Sequence, residues 1–377
     1  MCYTSGTTGK PKGVLYTHRS LVLHSMATII PDVMSLSCTD TILPVVPMFH
    51  ANAWGAPYSA AMVGAKQVLP HRFLDPASMV ELLASERVTV TAGVPTIWLA
   101  LLDYLDAHAA EHDLSALRYM TVGGSAAPES MIRSFEERHG LQIMQGWGMT
   151  ELSPVGSFSS DRANMVAATP QERQRYRATA GQPLPFIDVR ARGDDGLVPW
   201  DGKTMGELEV RGPWVAAAYH GRDGDSAFTD DGWFRTGDIV TIGPNAELVI
   251  QDRCKDLVKS GGEWISSVLL ETYLMGHPQV AEAAVIAVPH PQWLERPLAI
   301  VVARAGQALD AQALRDFLSG GFAKWWVPDA IVFAESLPKS GTGKVLKLDL
   351  RGTYKDQYAS GSTVHPAVGE AAPGSGV

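Results

Sequence analysis

The stretch Tyr3-Thr4-Ser5-Gly6-Thr7-Thr8-Gly9-Lys10-Pro11-Lys12-Gly13-Val14 sets three glycines, four aliphatic hydroxyls and two lysines within a dozen residues. Glycines let consecutive backbone N–H groups turn into one concavity, hydroxyls add donors, and lysines bring the countercharge that a polyphosphate needs. The order is not that of the common P-loop, in which Ser or Thr follows Gly-Lys directly at a helix start. Here Pro11 follows Lys10 and removes a backbone donor. The same composition also reads as a flexible Gly/Thr loop, so later motifs must decide. A phosphate loop normally follows the strand that positions it. Only Met1 and Cys2 precede this one, so the sequence is expected to begin inside a domain.

The 377 residues carry 40 acidic against 31 basic side chains, a formal net charge of −9, and 46% are hydrophobic. That length suits roughly two or three domains. The acidic balance argues against a nucleic-acid groove or an anionic membrane surface as the main partner. Cys2, Cys38 and Cys254 are few, odd in number and widely spaced, which argues against a disulfide framework or a four-cysteine zinc site and for a reducing cytoplasm. No apolar run approaches the length of a transmembrane span, and no signal-peptide pattern opens the sequence, which reads as soluble.

Up to about residue 150, short β-branched runs at 66–69, 88–91, 118–122 and 141–144 read as buried strands, and 76–85, 95–106 and 128–139 read as helices. Alternation of this kind implies a mainly parallel sheet, whose ligands collect at the carboxyl ends of its strands. Two motifs sit there. Gly123-Gly124-Ser125-Ala126-Ala127-Pro128 offers small residues that let a flat group approach the backbone, with Pro128 suited to a first helical turn. Gln145-Gly146-Trp147-Gly148-Met149-Thr150-Glu151 places a ring between glycines, then a hydroxyl and a carboxylate. A stacking surface beside an Mg²⁺ ligand suits a nucleoside triphosphate, although Trp147 also reads as a core residue. Pro47-Met48-Phe49-His50-Ala51-Asn52-Ala53-Trp54 is a turn-like cluster, in which a lone histidine is more often structural than catalytic.

Beyond residue 180 the pattern changes to short strands and Gly/Asp turns, as at 206–212 and in a hairpin over 239–250 around Gly243-Pro244-Asn245. In Phe234-Arg235-Thr236-Gly237-Asp238 the carboxylate suits ribose hydroxyls or the cap of a turn. The charge run Asp252-Arg253-Cys254-Lys255-Asp256 reads as a boundary, with Lys259-Ser260-Gly261-Gly262-Glu263 after it. Helices over 267–275 and 311–318 and strands over 283–288, 298–303 and 330–333 then make one small α+β domain. Near its end stands a second Gly/Thr/Lys loop, Lys339-Ser340-Gly341-Thr342-Gly343-Lys344, before a Gly, Ala, Ser and Pro tail expected to be disordered.

In this order the motifs resemble the adenylate-forming superfamily of acyl-CoA synthetases, luciferases and peptide-synthetase adenylation domains, from residue 3 to about 356. The wording at 47–54, 123–128, 146–151, 259–267 and 322–326 is most similar to medium- and long-chain fatty-acid–CoA ligases and methylmercaptopropionate–CoA ligases. The resemblance implies an α/β fold with a large AMP-binding domain at 1–252, its sheet part followed by a β-rich part. That domain lacks the region that family members carry before the residue-3 loop, which in some relatives supplies homodimer contacts. A hinge at 253–256, a small mobile α+β domain at 257–356 and a disordered tail at 357–377 complete the expected organisation.

The implied activity is an ATP-dependent fatty-acid–CoA ligase. A carboxylate attacks the α-phosphorus of Mg·ATP, giving acyl-adenylate and pyrophosphate, and the thiol of coenzyme A then displaces AMP. By the resemblance, Thr4, Ser5, Gly6, Thr7, Thr8, Gly9, Lys10 and Lys12 hold the β- and γ-phosphates. Gly124, Ser125, Gly146, Trp147 and Gly148 surround the adenine. Thr150 serves phosphate, Glu151 and Thr7 serve Mg²⁺, and Asp238 and Arg253 bind ribose. Lys344 bridges the carboxylate and the α-phosphate, His50 lies near the reacting carboxylate, and Trp54, Gly123 and Ala126 line the acyl pocket. Lys255 is the hinge, and Lys259, Gly261 and Gly262 line the thiol's tunnel.

Three rival readings remain. Another carboxylic acid, methylmercaptopropionate included, or a carrier-protein thiol could take the places of fatty acid and CoA. The chain could be a truncated remnant that binds nucleotide without turnover. Finally, His108-Ala109-Ala110-Glu111-His112 satisfies the His-x-x-Glu-His pattern of inverted zinc metalloproteases, in which two histidines share a metal on one helix face.

Overall fold

The computed structural model describes residues 1–4, 11–108, 111–222, 225–341 and 343–359. They form two units. The first contains Met1–Lys255 together with Lys339–Leu346, and the second contains Asp256–Pro338 and the residues from Lys347 onward. Residues 339–346, placed with the small domain on sequence grounds, thus cluster with the first unit.

The first unit is built on a seven-stranded sheet in the order Lys66–Gln67, Thr41–Pro44, Val90–Gly93, Tyr119–Val122, Ile143–Gly148, Val155–Phe158, Gln182–Pro183. The first five strands run parallel and the last two add antiparallel. Helices cross over between the parallel strands, and local sequence starts and stops them. Asp75 accepts a hydrogen bond from the Ser78 N–H and Pro76 opens Pro76–Ser85, while Gly140 in the left-handed region ends Glu129–His139. Pro128 stands at the N-cap of that helix, with ψ 131°, one residue before the first turn expected for it. One face of the sheet is covered by Met79, Leu83, Trp98, Leu101, Ile132 and Phe135, the other by residues such as Ala27, Ala60 and Trp214. The buried strand expected over 66–69 is instead a two-residue edge strand with both side chains exposed, and Leu69 is 58% exposed.

The β-rich part of this unit is a five-stranded antiparallel sheet in the order Gly196–Leu197, Asp188–Gly193, Gly206–Arg211, Phe234–Ile242, Leu248–Arg253. Its register sets Asp238 opposite Arg253. A two-stranded hairpin, Cys2–Tyr3 against Gly13–Val14, brackets the N-terminal glycine loop.

In the second unit the sheet order is Glu263–Ile265, Val258–Ser260, Leu294–Ala303, Val280–His290, with Ala330–Phe333 parallel to Leu294–Ala303. Ser267–Met275 and Ala311–Ser319 pack on it through Leu270, Leu274, Leu314 and Leu318. Tyr358, counted with the tail on sequence grounds, is instead buried and donates its hydroxyl to the Pro297 carbonyl at 2.9 Å. The rest of the tail expected to be disordered, residues 360–377, lies outside the described residues.

Candidate active site

The carboxyl ends of Tyr119–Val122 and Ile143–Gly148 meet at a closely packed corner. A Cβ on Gly123 would lie 3.0 Å from the Gly146 carbonyl oxygen and 3.0 Å from Cη2 of Trp54. On Gly124, whose φ is +82°, it would lie 3.7 Å from the Trp54 ring and 3.8 Å from Cε of Lys344. The indole and the lysine stem therefore flank the same two peptide units. Gln145 accepts from the Ala127 N–H at 2.9 Å, fixing the loop to the neighbouring strand. Ser125 is exposed and Ala126 half-buried along it.

Lys344 reaches this corner on a tight turn in which Ser340 N–H donates to the Lys344 carbonyl at 2.8 Å and Gly343 N–H to that of Ser340 at 2.9 Å. Thr342 of this loop lies outside the described residues. Burial, and after it the charge of Arg253, pushes the Lys344 ammonium down to about 8, with Lys255 acting in the same sense and Asp238 and Glu151 opposing. Burial and then the charge of Lys344 push His50 down to about 4, so its imidazole is neutral at physiological pH.

The residues after His50 are unusual. Ala51–Trp54 all have φ between 44° and 58°, and Gly55 follows at 75°. Four consecutive non-glycine residues in the left-handed region cost about 1–2 kcal/mol each, so this turn persists only because its surroundings hold it. Asn52 accepts from the Cys2 thiol at 3.4 Å and donates to the Tyr58 hydroxyl at 3.0 Å. Gly55 packs against the buried His24, where a Cβ would come within 2.8 Å of the ring.

At the hairpin of the N-terminal loop, Thr4 N–H donates to the Lys12 carbonyl at 2.9 Å and Lys12 N–H donates back to Thr4 Oγ1 at 3.0 Å. Ser5, Gly6, Thr7, Thr8, Gly9 and Lys10 lie outside the described residues. The Lys12 ammonium pairs with Asp225 at 3.1 Å and stands 4.2 Å over the Tyr219 ring. Tyr219 in turn donates to the buried Glu151 carboxylate at 2.6 Å, and Tyr16 donates to the Thr150 carbonyl at 2.7 Å. Sequence reasoning missed Tyr16, Tyr219 and Asp225. Their link to the glycine loop and to Glu151 spans up to 213 positions, and no local pattern marks it.

Trp147 is buried in the first unit. Its ring is 9% exposed and packs with Leu152, Leu208 and Val210, and its indole N–H donates to Asp238 at 2.9 Å. Asp238 also pairs with the half-exposed Arg253 at 2.7 Å. It is a buried junction between the two sheets rather than a turn cap. Gly148 beside it is exposed, and a Cβ there would meet the Pro154 carbonyl oxygen at 2.1 Å.

His50, Trp54, Gly123, Gly124, Glu151, Asp238, Arg253 and Lys344 thus come together within the first unit. Lys259, Gly261 and Gly262 belong to the second, Lys259 within Val258–Ser260 and the two glycines at the turn joining it to Glu263–Ile265. Ala109 and Ala110 of the metalloprotease pattern lie outside the described residues, and the His108 ring faces the Tyr104 carbonyl and stacks on Tyr104. Among the described residues no three His, Cys, Asp or Glu side chains converge on a metal position.

A model of the AMP-binding enzyme family matches residues 1–220. The chain belongs to that family. The model of the AMP-binding enzyme C-terminal domain matches residues 269–344. This AMP-binding enzyme is 52% identical over 361 residues to the long-chain-fatty-acid–CoA ligase of Thermus thermophilus, an alignment covering 95% of this chain and 66% of that protein. To the 3-methylmercaptopropionyl-CoA ligase of Ruegeria lacuscaerulensis it is 47% identical, over 94% of this chain and 66% of that protein. The chain spans just under two thirds of the length of these curated relatives. Among solved structures, ATP-bound MatB from Rhodopseudomonas palustris matches with a TM-score of 0.81 at 28% identity, over 95% of this chain and 68% of that one.

Proposed function

We propose that the chain carries the adenylating and thiol-acylating machinery of a fatty-acid–CoA ligase. The single observation that carries this reading is the placement of Lys344, whose stem lies on the Gly123-Gly124 corner beside Trp54 and whose ammonium senses Glu151, Asp238 and Arg253. A cation there suits the joining of two anions, a carboxylate and a triphosphate. The carboxylate oxygen bonds to the α-phosphorus, the bond to the bridging oxygen breaks, and pyrophosphate leaves with its electron pair. Lys344 offsets the charge that gathers on the equatorial oxygens, a preorganised electrostatic role. In the second half-reaction the CoA thiolate attacks the acyl carbon and AMP leaves. His50, neutral at working pH, borders the acyl end without adding charge.

Mg²⁺ binds through one or two carboxylates plus substrate phosphates rather than in an all-protein cage. The buried carboxylate of Glu151, held by Tyr219, with no acidic cluster among the described residues, is a donor set that fits such an ion. Bound there, Mg²⁺ would neutralise phosphate charge. Thr4 and Lys12 would hold the phosphates, and Asp238 with Arg253 the ribose.

The likeness to a long-chain-fatty-acid–CoA ligase supports a fatty acid as the acyl donor. The likeness to a 3-methylmercaptopropionyl-CoA ligase supports the second reading, a short thioether acid. A cytoplasmic location is consistent with three free cysteines and with no helix of the described residues being long and apolar enough to cross a membrane. ATP–pyrophosphate exchange, tried separately with acetate, hexanoate, methylmercaptopropionate, palmitate and benzoate, tests the proposal. Exchange with hexanoate or palmitate supports it, and exchange with methylmercaptopropionate alone selects the second reading. Tight ATP binding without exchange for any acid would mark a nucleotide-binding remnant.

A further inference from the structure

Gly261 and Gly262 both have positive φ, 60° and 90°, and join two three-residue strands. Glycine takes up such a turn without steric cost, and this one is also held from outside. Four consecutive residues, at the start of Leu294–Ala303 and just before it, hold the turn. The Trp293 carbonyl accepts from the Gly261 N–H at 2.9 Å, and the Trp293 ring lies 3.0 Å from where a Cβ on Gly261 would sit. Leu294 pairs with Ser260 in the sheet register. Glu295 accepts from the Lys259 N–H at 2.8 Å, and Arg296 donates to the Ser260 hydroxyl at 3.1 Å.

Leu294 itself is left-handed, φ 69°, with its side chain 70% exposed. A leucine gains nothing locally from that conformation, but it lets Trp293, Glu295 and Arg296 all engage the loop. Arg296 is the anchor. Besides Ser260 it donates to the carbonyls of Trp325 at 2.6 Å and Val327 at 3.0 Å, and to both carboxylate oxygens of Asp329 at 2.7 and 2.9 Å. All five of its N–H groups have acceptors, and its side chain is 8% exposed. A lysine, with one nitrogen, cannot span from Ser260 to Asp329.

We propose that residues 293–296 are a clamp that sets the geometry of the 259–262 loop, with Arg296 its positioning residue and CoA-thiol presentation the step it serves. This rests on the reading that the loop lines the path of the thiol. The test uses the whole chain, comparing the parent with Arg296→Lys and Ser260→Ala. Hydrogen exchange without substrates is measured on a peptide covering 258–265. Thioester formation is followed in a single turnover from preformed acyl-adenylate and CoA. For Arg296→Lys the clamp predicts at least tenfold faster exchange at Gly261. It also predicts a rise of about tenfold in the CoA concentration for half-maximal rate, the loss seen when a supporting hydrogen bond is removed, with ATP–pyrophosphate exchange within twofold of the parent. Ser260→Ala, which buries no unpaired charge, should speed Gly261 exchange at least threefold and keeps the test decisive should Arg296→Lys not fold. Parent-like exchange in both variants would overturn the clamp, as would equal loss of both half-reactions. A parent that forms no thioester, with variants that still loosen the loop, would overturn the proposed function and leave the clamp standing.

Discussion

If Lys344 acts as a cation, adenylation must follow its protonation. Its ammonium lies at about 8 against an ordinary 10.5, because the group is buried and Arg253 adds like charge. The pH profile of kcat/KM reports the free enzyme. It should be flat up to about pH 7, fall to half near 8, and drop about tenfold per unit beyond. Asp238 and Glu151 oppose the shift, so Asp238→Asn should move the basic limb to lower pH, and Arg253→Gln should move it higher. Lys344→Met should lower exchange by about 10²–10³, the loss expected for one preorganised charge-stabilising group, and should abolish the limb. Stability should move the other way. A lysine whose folded pKa is depressed binds fewer protons when folded, so the chain gains stability as pH rises from about 8 to 10.5 and bears the full penalty below that window. The difference corresponds to roughly 3 kcal/mol, so Lys344→Met should be more stable than the parent at pH 7 by up to that amount and equal to it above 10.5. Rapid-quench exchange assays from pH 6 to 10 and urea titrations at pH 7 and 10 check both halves. A flat rate profile through pH 10, or a limb that survives in Lys344→Met, would refute the reasoning.

Two further outcomes are expected. His24 is fully buried and its pKa is pushed down by burial to about 3, so the folded chain holds it neutral, accepting from the Val155 N–H at 3.1 Å. Stability that is complete above about 6.5 should fall by roughly 2 kcal/mol on going to pH 5, and urea midpoints for the parent and His24→Gln should show that slope only in the parent. Tyr219→Phe removes the hydrogen bond to Glu151 and should raise the Mg²⁺ concentration for half-maximal exchange about tenfold, as loss of a supporting partner does at metal sites. An unchanged Mg²⁺ requirement would remove Tyr219 from the site.

Much of the architecture is legible in the sequence where local chemistry specifies it. Asp75-Pro76 announces the helix that follows, and the β-branched run at 330–333 is the strand expected. Gly123, Gly124 and Lys344 are legible as candidates from residue type alone, and the structure brings them to one corner. What escapes has non-local causes. The helix His18–Thr28 buries Ser20, His24, Ser25, Ala27 and Thr28, so no apolar stripe betrays it. The left-handed Ala51–Trp54 turn contains no glycine until Gly55, and its conformation is imposed by Cys2, Tyr58 and His24. Lys66–Gln67 is exposed because it is an edge strand, a fact that depends on the order of the whole sheet. The packing around Trp147 is equally non-local: the glycines that flank it lie against Phe158 and Pro154, and its ring packs with Leu208 and Val210 from the other sheet.

The central claim is that a carboxylate oxygen attacks the α-phosphorus of ATP at the Lys344 site. Incubating the chain with ATP, CoA and a fatty acid labelled with ¹⁸O in both carboxylate oxygens, then analysing the products by mass spectrometry, tests it most directly. The account predicts one labelled oxygen in AMP and none in pyrophosphate or phosphate. Label in inorganic phosphate, with ADP as the nucleotide product, would mean activation through an acyl phosphate and would contradict the account.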